Sequence, residues 1–321
     1  MALAVNNNTS AFNVFTSMTK NIGKMKQSMS RLSTGEKSVL DDPSGVGISE
    51  RMRSQIRSTD MARQNVDNGI SMIQTADSWM QKMNDMLSRM KELAVENADG
   101  TKTSTDQTNI QSEFKQLQNE IVRVTSRNTS AAKYNGLYLF RGGDGRTKMD
   151  GDNVATGDAI SDGSITVQIG ADVGQKFQIE VAQLDTANTN SIGTVSTYTY
   201  NDAAGQTVKT STHTDVTWAS VIDTHKMSVG SDNTIGKVSL AIDHLSNNRA
   251  TMGAQQARLE HTKSGLIAYE DNLRSAESKV RDVDMAKEST EFSKFQILSQ
   301  ISNAMLAQAN QLPSSALQLL G

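Results

Sequence analysis

The residues able to do chemistry in this chain are few and poorly placed for it. Its four histidines, His213, His225, His244 and His261, match no metal-ligand spacing, and no His-Glu-x-x-His run occurs. Asp150, Asp152, Asp158 and Asp162 could attract calcium, but the twelve-residue loop with its closing glutamate is missing, so a solvated turn region is expected. Gly142-Gly143-Asp144-Gly145 lacks the lysine and the following helix of a phosphate cradle. The carboxylate pair Asp41-Asp42 stands directly before Pro43, where an aspartate cap followed by proline starts a helix. With no cysteine, disulfides, thiolate metal sites and thiol nucleophiles are excluded. The sixteen methionines read as helix-forming gap fillers between packed helices, not as a metal box. No enzyme, no cofactor and no metal centre is expected.

The elements that would position these residues are mostly helical. The 321 residues allow two or three domains. A hydrophobic content of 36% and a mean hydropathy of -0.47 describe a soluble chain with a lean core. A net charge of -3 creates no field that would draw nucleic acid or acidic lipid. No segment approaches the roughly 20 apolar residues of a membrane span. Lys20 is the first positive side chain, and Asn6, Asn7 and Asn8 interrupt any apolar stretch of a secretory signal. If the protein leaves the cell, a route without a cleaved signal peptide is expected.

Phe12, Phe15, Met18, Ile22, Met25, Met29 and Leu32 are spaced 3, 3, 4, 3, 4 and 3 apart, one narrow seam on a coiled-coil helix. Thr34-Gly35 stops it. A second helix from about Ile48 to Asn97, with a loose start at Gly45 and Gly47, would be roughly 70 Å long. Ile110, Phe114, Leu117, Ile121 and Val124 continue the rhythm in a third helix. The period then changes. Ile165, Val167 and Ile169 alternate, as do Phe177, Ile179 and Val181, which predicts a β-hairpin. Residues 185–230 read as a small β insertion, with strand-type runs at 194–200 and 206–212.

Helical pattern resumes near Ile235. Val238, Leu245, Met252, Leu259, Leu266, Leu273 and Val280 fall seven apart, with Arg249, Gln256 and Lys263 weakening the intervening seam. The last helix carries Phe292, Phe295, Leu298, Ile301, Met305, Ala309 and Leu312, followed by Leu317, Leu319 and Leu320. The expected fold is therefore mainly α with a smaller β part. Both termini form a long antiparallel helical bundle or coiled coil, joined by a β-hairpin and a small β-rich outer domain. Neither terminal seam could hold an isolated helix firmly in water. Paired with each other and with copies above and below they could, and self-association not closed by rotation gives an open helical filament.

These residues resemble a bacterial flagellin. Arg31-Leu32-Ser33-Thr34-Gly35 is similar to an early motif of that family, and the stretch from Asp41 to Met52 to the motif that follows. Asn68-Gly69-Ile70, Gln74-Thr75-Ala76 and Lys91-Glu92-Leu93-Ala94-Val95 are similar in turn, and Ile301 to Pro313 resembles the flagellin terminus. Pro43-Ser44 departs from the paired alanines of many relatives.

The resemblance implies a structural subunit of the extracellular flagellar filament, exported unfolded through the flagellar secretion apparatus. Residues 1–42 and 285–321 would form the inner tube and 43–184 with 230–284 the helical core domain. Residues 185–229 would be the variable surface domain. The implied partners are further copies in a homo-polymer, an export chaperone on the C-terminal helix, and the filament cap and hook-junction proteins. No nucleic acid and no membrane are implied. The family is detected by Toll-like receptor 5, and the matching positions are Arg89, Leu93 and Glu113. Read without the resemblance, these are a surface charge, a seam-adjacent leucine and a helix carboxylate. The competing reading is a hook–filament junction protein, which shares the terminal pattern.

Overall fold

Helix α1 (Thr9–Thr34) begins where the Asn8 side chain accepts a hydrogen bond from the Ala11 N–H, at 3.0 Å. It ends at Gly35, whose left-handed backbone (φ 74°) turns its N–H back to the Arg31 carbonyl. The expected aspartate–proline start then opens α2 (Pro43–Asn97), with Asp42 accepting from the Gly45 N–H at 2.8 Å. This start is not loose: Gly45 is buried inside the first turn and a side chain there would strike the capping carboxylate of Asp42. Helix α3 (Ser104–Thr125) opens with a reciprocal capping box between Thr103 and Asp106.

The computed structural model describes residues 8–126, 130–140, 164–181, 184, 191–198, 211–222, 228–229 and 233–320, with the backbone alone for 164, 196–198, 211–214 and 312–320. Gly142–Gly145, Asp150, Asp152, Asp158, Asp162, His225 and the His213 side chain lie outside the described residues, as do 199–200 and 206–210 of the expected strands. The described chain divides into two units. One comprises 1–57 with 268–321, the other 58–267, so the divisions fall within α2 and within α5 (Thr234–Arg281).

The second unit holds the apolar core. Along α2 the seam Val66, Ile73, Ala76, Met80, Met83, Leu87, Met90 and Ala94 is buried, with Ile70 half-buried, and α3 adds Phe114, Ile121 and Val124. The chain then forms a short ribbon, β1 (Lys133–Tyr134) with β2 (Leu137–Tyr138), turning on the positive-φ pair Asn135-Gly136. The expected hairpin follows as β3 (Ser164–Gln168) against β4 (Lys176–Glu180), antiparallel with Val167 opposite Phe177 and Ile165 opposite Ile179. Its inner face approaches Gly69 so closely that an added Cβ would meet Ile179 at 3.2 Å and Leu259 at 3.5 Å. A larger residue there would press on the Ile179 side chain, so glycine suits the close approach of α2, the hairpin and α5.

The expected insertion is partly strand and partly helix. Strands β5 (Ser191–Tyr198) and β6 (Ser211–Thr217) pair antiparallel, and the second lies further along the chain than the expected run at 206–212. Helix α4 (Trp218–Ile222) comes directly after β6, with Trp218, Val221 and Ile222 fully buried in the same core. Gln118 of α3 donates to the Val221 carbonyl at 3.0 Å, fastening α4 in place. Along α5 within this unit Val238, Leu245, Met252 and Leu259 are buried, and the charges that interrupt the seam have partners on α2. Arg249 meets Asp77 at 2.7 Å and Lys263 meets Asp67 at 2.7 Å.

Candidate assembly surface

The first unit is built from α1, the start of α2, the end of α5 and α6 (Met285–Leu320). Helices α1 and α6 pack antiparallel. Asn8 reaches the Ala309 carbonyl at 2.8 Å, Asn21 reaches Ser302 at 3.4 Å, and Ser28 reaches the Glu288 carbonyl at 3.3 Å. The first of these contacts answers a local defect. Pro313 lies inside α6 and has no N–H, so the carbonyl four residues earlier, Ala309, loses its helical donor. The Asn8 amide supplies one, while its other side-chain atom caps α1. One side chain thereby ties the start of the first helix to the proline turn of the last.

Two charged clusters brace the chain reversals of this unit. Arg31 bonds Asp41 at 2.8 Å and lies 3.4 Å from Glu288, while Asp41 also accepts from the Ser38 N–H and hydroxyl, each at 2.9 Å. Hydrogen bonding to Arg31 above all, and to Ser38 and Gln27, holds the Asp41 carboxyl well below the usual carboxylate range. In the second cluster Arg53 joins Glu36 (2.6 Å) and Glu277 (2.9 Å), and Arg281 joins Glu36 (2.7 Å) and Glu50 (2.5 Å). Both guanidinium partners lower the pKa of Glu36, that of Arg53 most. The backbone closes the same region: Lys37 N–H donates to Arg281 O at 2.8 Å and Val283 N–H to Gly35 O at 3.0 Å. An open groove of about 760 Å³ beside the first cluster is lined by lysines 24, 37 and 287 and by acidic side chains including Asp282 and Glu291. Mixed charge with no histidine or cysteine suits water, and no metal-binding group occurs among the described residues.

Outside these braces the terminal helices are poorly covered. Among the described side chains of α1 and α6 only Ser28, Glu288 and Ala309 are buried. The expected seam divides in two. Met18, Ile22, Met25, Leu32, Phe295 and Leu298 are half-buried, whereas Phe12 (69% exposed), Phe15, Met29, Ile301 (52%) and Met305 face outward. The side chains of Leu312, Leu317 and Leu320 lie outside the described residues. Three apolar residues absent from the sequence reading join the exposed set. Ile297 precedes Ile301 by one turn on α6, and Val39 and Leu40 (92% exposed) project from the turn pinned by Asp41. The adjacency of Val39-Leu40 to an aspartate pair was the available signal.

The remaining expected residues lie in the second unit. Arg89 bonds Glu113 at 2.8 Å and Glu92 at 3.1 Å on an exposed helix face. Leu93 belongs to the buried core, 1% exposed, so it supports that face from beneath.

Two terminal helices edged with uncovered apolar residues, and a separate well-filled helical core, have counterparts in known proteins. The bacterial flagellin N-terminal helical region matches residues 5–144 and the C-terminal helical region matches residues 235–320. The flagellin of Bacillus subtilis is 36% identical over 99% of this chain and 100% of its own length. The chain belongs to the flagellin family. Flagellin FlaB2 of Treponema pallidum is 36% identical over 95% of this chain and 92% of its own. The flagellar filament core protein flaB2 of Brachyspira hyodysenteriae is 34% identical over 99% and 100%. The chain is accordingly a structural subunit of the extracellular flagellar filament, in a family of structural proteins rather than enzymes. Full-length similarity to flagellins disfavours the hook–filament junction reading.

Proposed function

We propose that the uncovered apolar faces of α1 and α6 are the polymerising element of this filament subunit. The observation that carries this is the exposure, in a single chain, of Phe12, Phe15, Met29, Ile297, Ile301 and Met305 on helices whose mutual contact buries so little. Aromatic and branched side chains left in water on both terminal helices are a standing free-energy cost that contact with further copies removes. Residues 1–42 and 285–321 then form the inner tube, 43–184 with 230–284 the surrounding helical domain, and 185–229 the outward variable domain. The chain leaves the cell unfolded through the flagellar secretion apparatus without a cleaved signal peptide. An export chaperone covers α6, and the filament cap and hook-junction proteins meet the growing ends. Exposed Arg89 and Glu113 form a polar contact for Toll-like receptor 5, with Leu93 fixing the backbone below them.

Sedimentation of the purified chain with and without short filament seeds tests the central claim. Full-length protein should pellet with seeds, while a chain lacking residues 286–321, or carrying Phe15→Ser with Ile301→Ser, stays in the supernatant. Pelleting of the substituted chain at the full-length rate would show that assembly runs through other surfaces.

A further inference from the structure

The described methionines range from fully buried to exposed, and four are at least half exposed: Met29, Met61, Met285 and Met305. Met72, Met80, Met83, Met90 and Met252 are buried in the core of the second unit. Met29 (52% exposed) and Met305 (53%) instead sit on the uncovered faces of the first unit. Their positions are specific. Met305 ends the row Ile297, Ile301, Met305, whose four-residue steps keep all three on one helix face. Met29 lies two heptads beyond the exposed Phe15 on the same seam of α1.

We propose that Met29 and Met305 are oxidation sites at which a two-electron oxidant prevents the free chain from joining a polymer. This rests on the assembly reading above. A peroxide or a hypohalous acid transfers one oxygen atom to the thioether sulfur. With hydrogen peroxide the O–O bond breaks, an S–O bond forms, the peroxide is reduced to water and the sulfur becomes a sulfoxide. An exposed thioether is reached by the oxidant, whereas the buried set is shielded by packing. The sulfoxide is a strong hydrogen-bond acceptor. On the surface of the free chain water satisfies it, so the monomer keeps its fold. Pressed into an apolar contact it loses that water and opposes docking. The change is reversed by methionine sulfoxide reductases, which makes it a switch on the pool of unassembled subunits. Once a copy covers these faces, the sulfurs are sheltered and the polymer resists the same oxidant.

The test treats full-length monomer with hydrogen peroxide to partial oxidation, removes the oxidant, adds untreated seeds, and compares pellet with supernatant by peptide mass spectrometry. Sulfoxide at Met29 and Met305 should be depleted at least about tenfold in the pellet, the ratio expected when a polar group is desolvated unpaired. Reductase treatment should return the excluded chains to the pellet. Equal sulfoxide at these two positions in both fractions sinks the inference while leaving the assembly reading intact. If untreated monomer fails to pellet, the assembly reading falls and this inference falls with it. A Met29→Leu, Met305→Leu chain gives a second arm. Its fraction pelleted should be unaffected by peroxide although Met61 and Met285 remain exposed, and an undiminished loss would place the effect elsewhere.

Discussion

The two units of this chain use helices of similar periodicity to opposite ends. In the second unit the seam of α2 is closed by α3, α4, α5 and the β3–β4 hairpin, so that Met80, Met83, Leu87, Met90, Phe114 and Trp218 have no exposure to water. In the first unit the seam of α1 is only half covered by α6, and the buried residues among the described side chains of the pair are a serine, a glutamate and an alanine. A heptad stripe thus records that a helix has an apolar face. It does not record whether that face is satisfied inside the chain. The comparison sets a unit whose apolar seam is closed inside the chain against one held by hydrogen bonds and ion pairs, whose apolar faces stay uncovered in the single chain.

Core truncation should separate the units most strongly. Met83→Ala or Phe114→Ala should destabilise the second unit by about 2–5 kcal/mol, whereas Phe15→Ala or Ile301→Ala should change monomer stability by less than about 0.5 kcal/mol. Both tryptophans, Trp79 and Trp218, lie in the second unit, so urea unfolding followed by fluorescence reports the first pair of variants, and far-ultraviolet circular dichroism of the helices reports both pairs. Comparable losses in both pairs would dissolve the contrast.

The braces of the first unit come next. Asp41→Asn should cost about 1.5–3 kcal/mol of local protection at residues 36–42 by amide exchange, the usual range for a hydrogen bond to a charged group. The pH dependence has a definite sign. The folded pKa of Asp41 lies below its ordinary 3.8, so its contribution is complete above about that pH and is lost as pH falls further. Exchange that stays unchanged from pH 6 down to the acid limit would remove Asp41 from this role. The proline tie is smaller. Asn8→Asp keeps the helix cap but loses the donor to Ala309, and should weaken the α1–α6 pair by about 1 kcal/mol. An Asn8→Asp chain indistinguishable from wild type in exchange at 305–311 would show that water serves Ala309 equally well.

Two surface effects should be smallest. His244 sits in partial burial beside Trp218, ring centroids 6.0 Å apart, and burial lowers its pKa from the ordinary 6.5. The unfolded chain therefore binds the proton first, and the stability of the second unit should decline gently as pH falls below 6.5. His244→Gln should flatten that slope in denaturation series between pH 5 and 7, and an unaltered slope would point to another group. Arg89→Ala should leave stability almost unchanged, as the loss of an exposed pair does. It should nevertheless reduce signalling in cells bearing Toll-like receptor 5, and full signalling would detach this pair from receptor contact.

How legible the molecule was differs by residue. The caps at Asn8 and Asp42, the glycine stop at Gly35 and the alternation of the β3–β4 hairpin are local properties, and they appear in the structure where residue chemistry places them. Trp218 was not legible as core. Five residues are too few to display a helical period, and α4 is held by a partner, Gln118, a hundred residues earlier. Arg249 and Lys263 looked like weaknesses in a seam because their partners Asp77 and Asp67 are remote in sequence. The seam of α1 was read as one stripe although it serves two environments.

By itself the sequence determined the apolar stripes of the long helices and the caps and turns at their ends, since each depends on neighbours a few residues apart. The tertiary structure alone decided which stripes are covered, that Arg281 reaches Glu36 and that Asn8 answers the carbonyl freed by Pro313. Those outcomes depend on which distant segments meet, and short-range periodicity carries no information about distant partners.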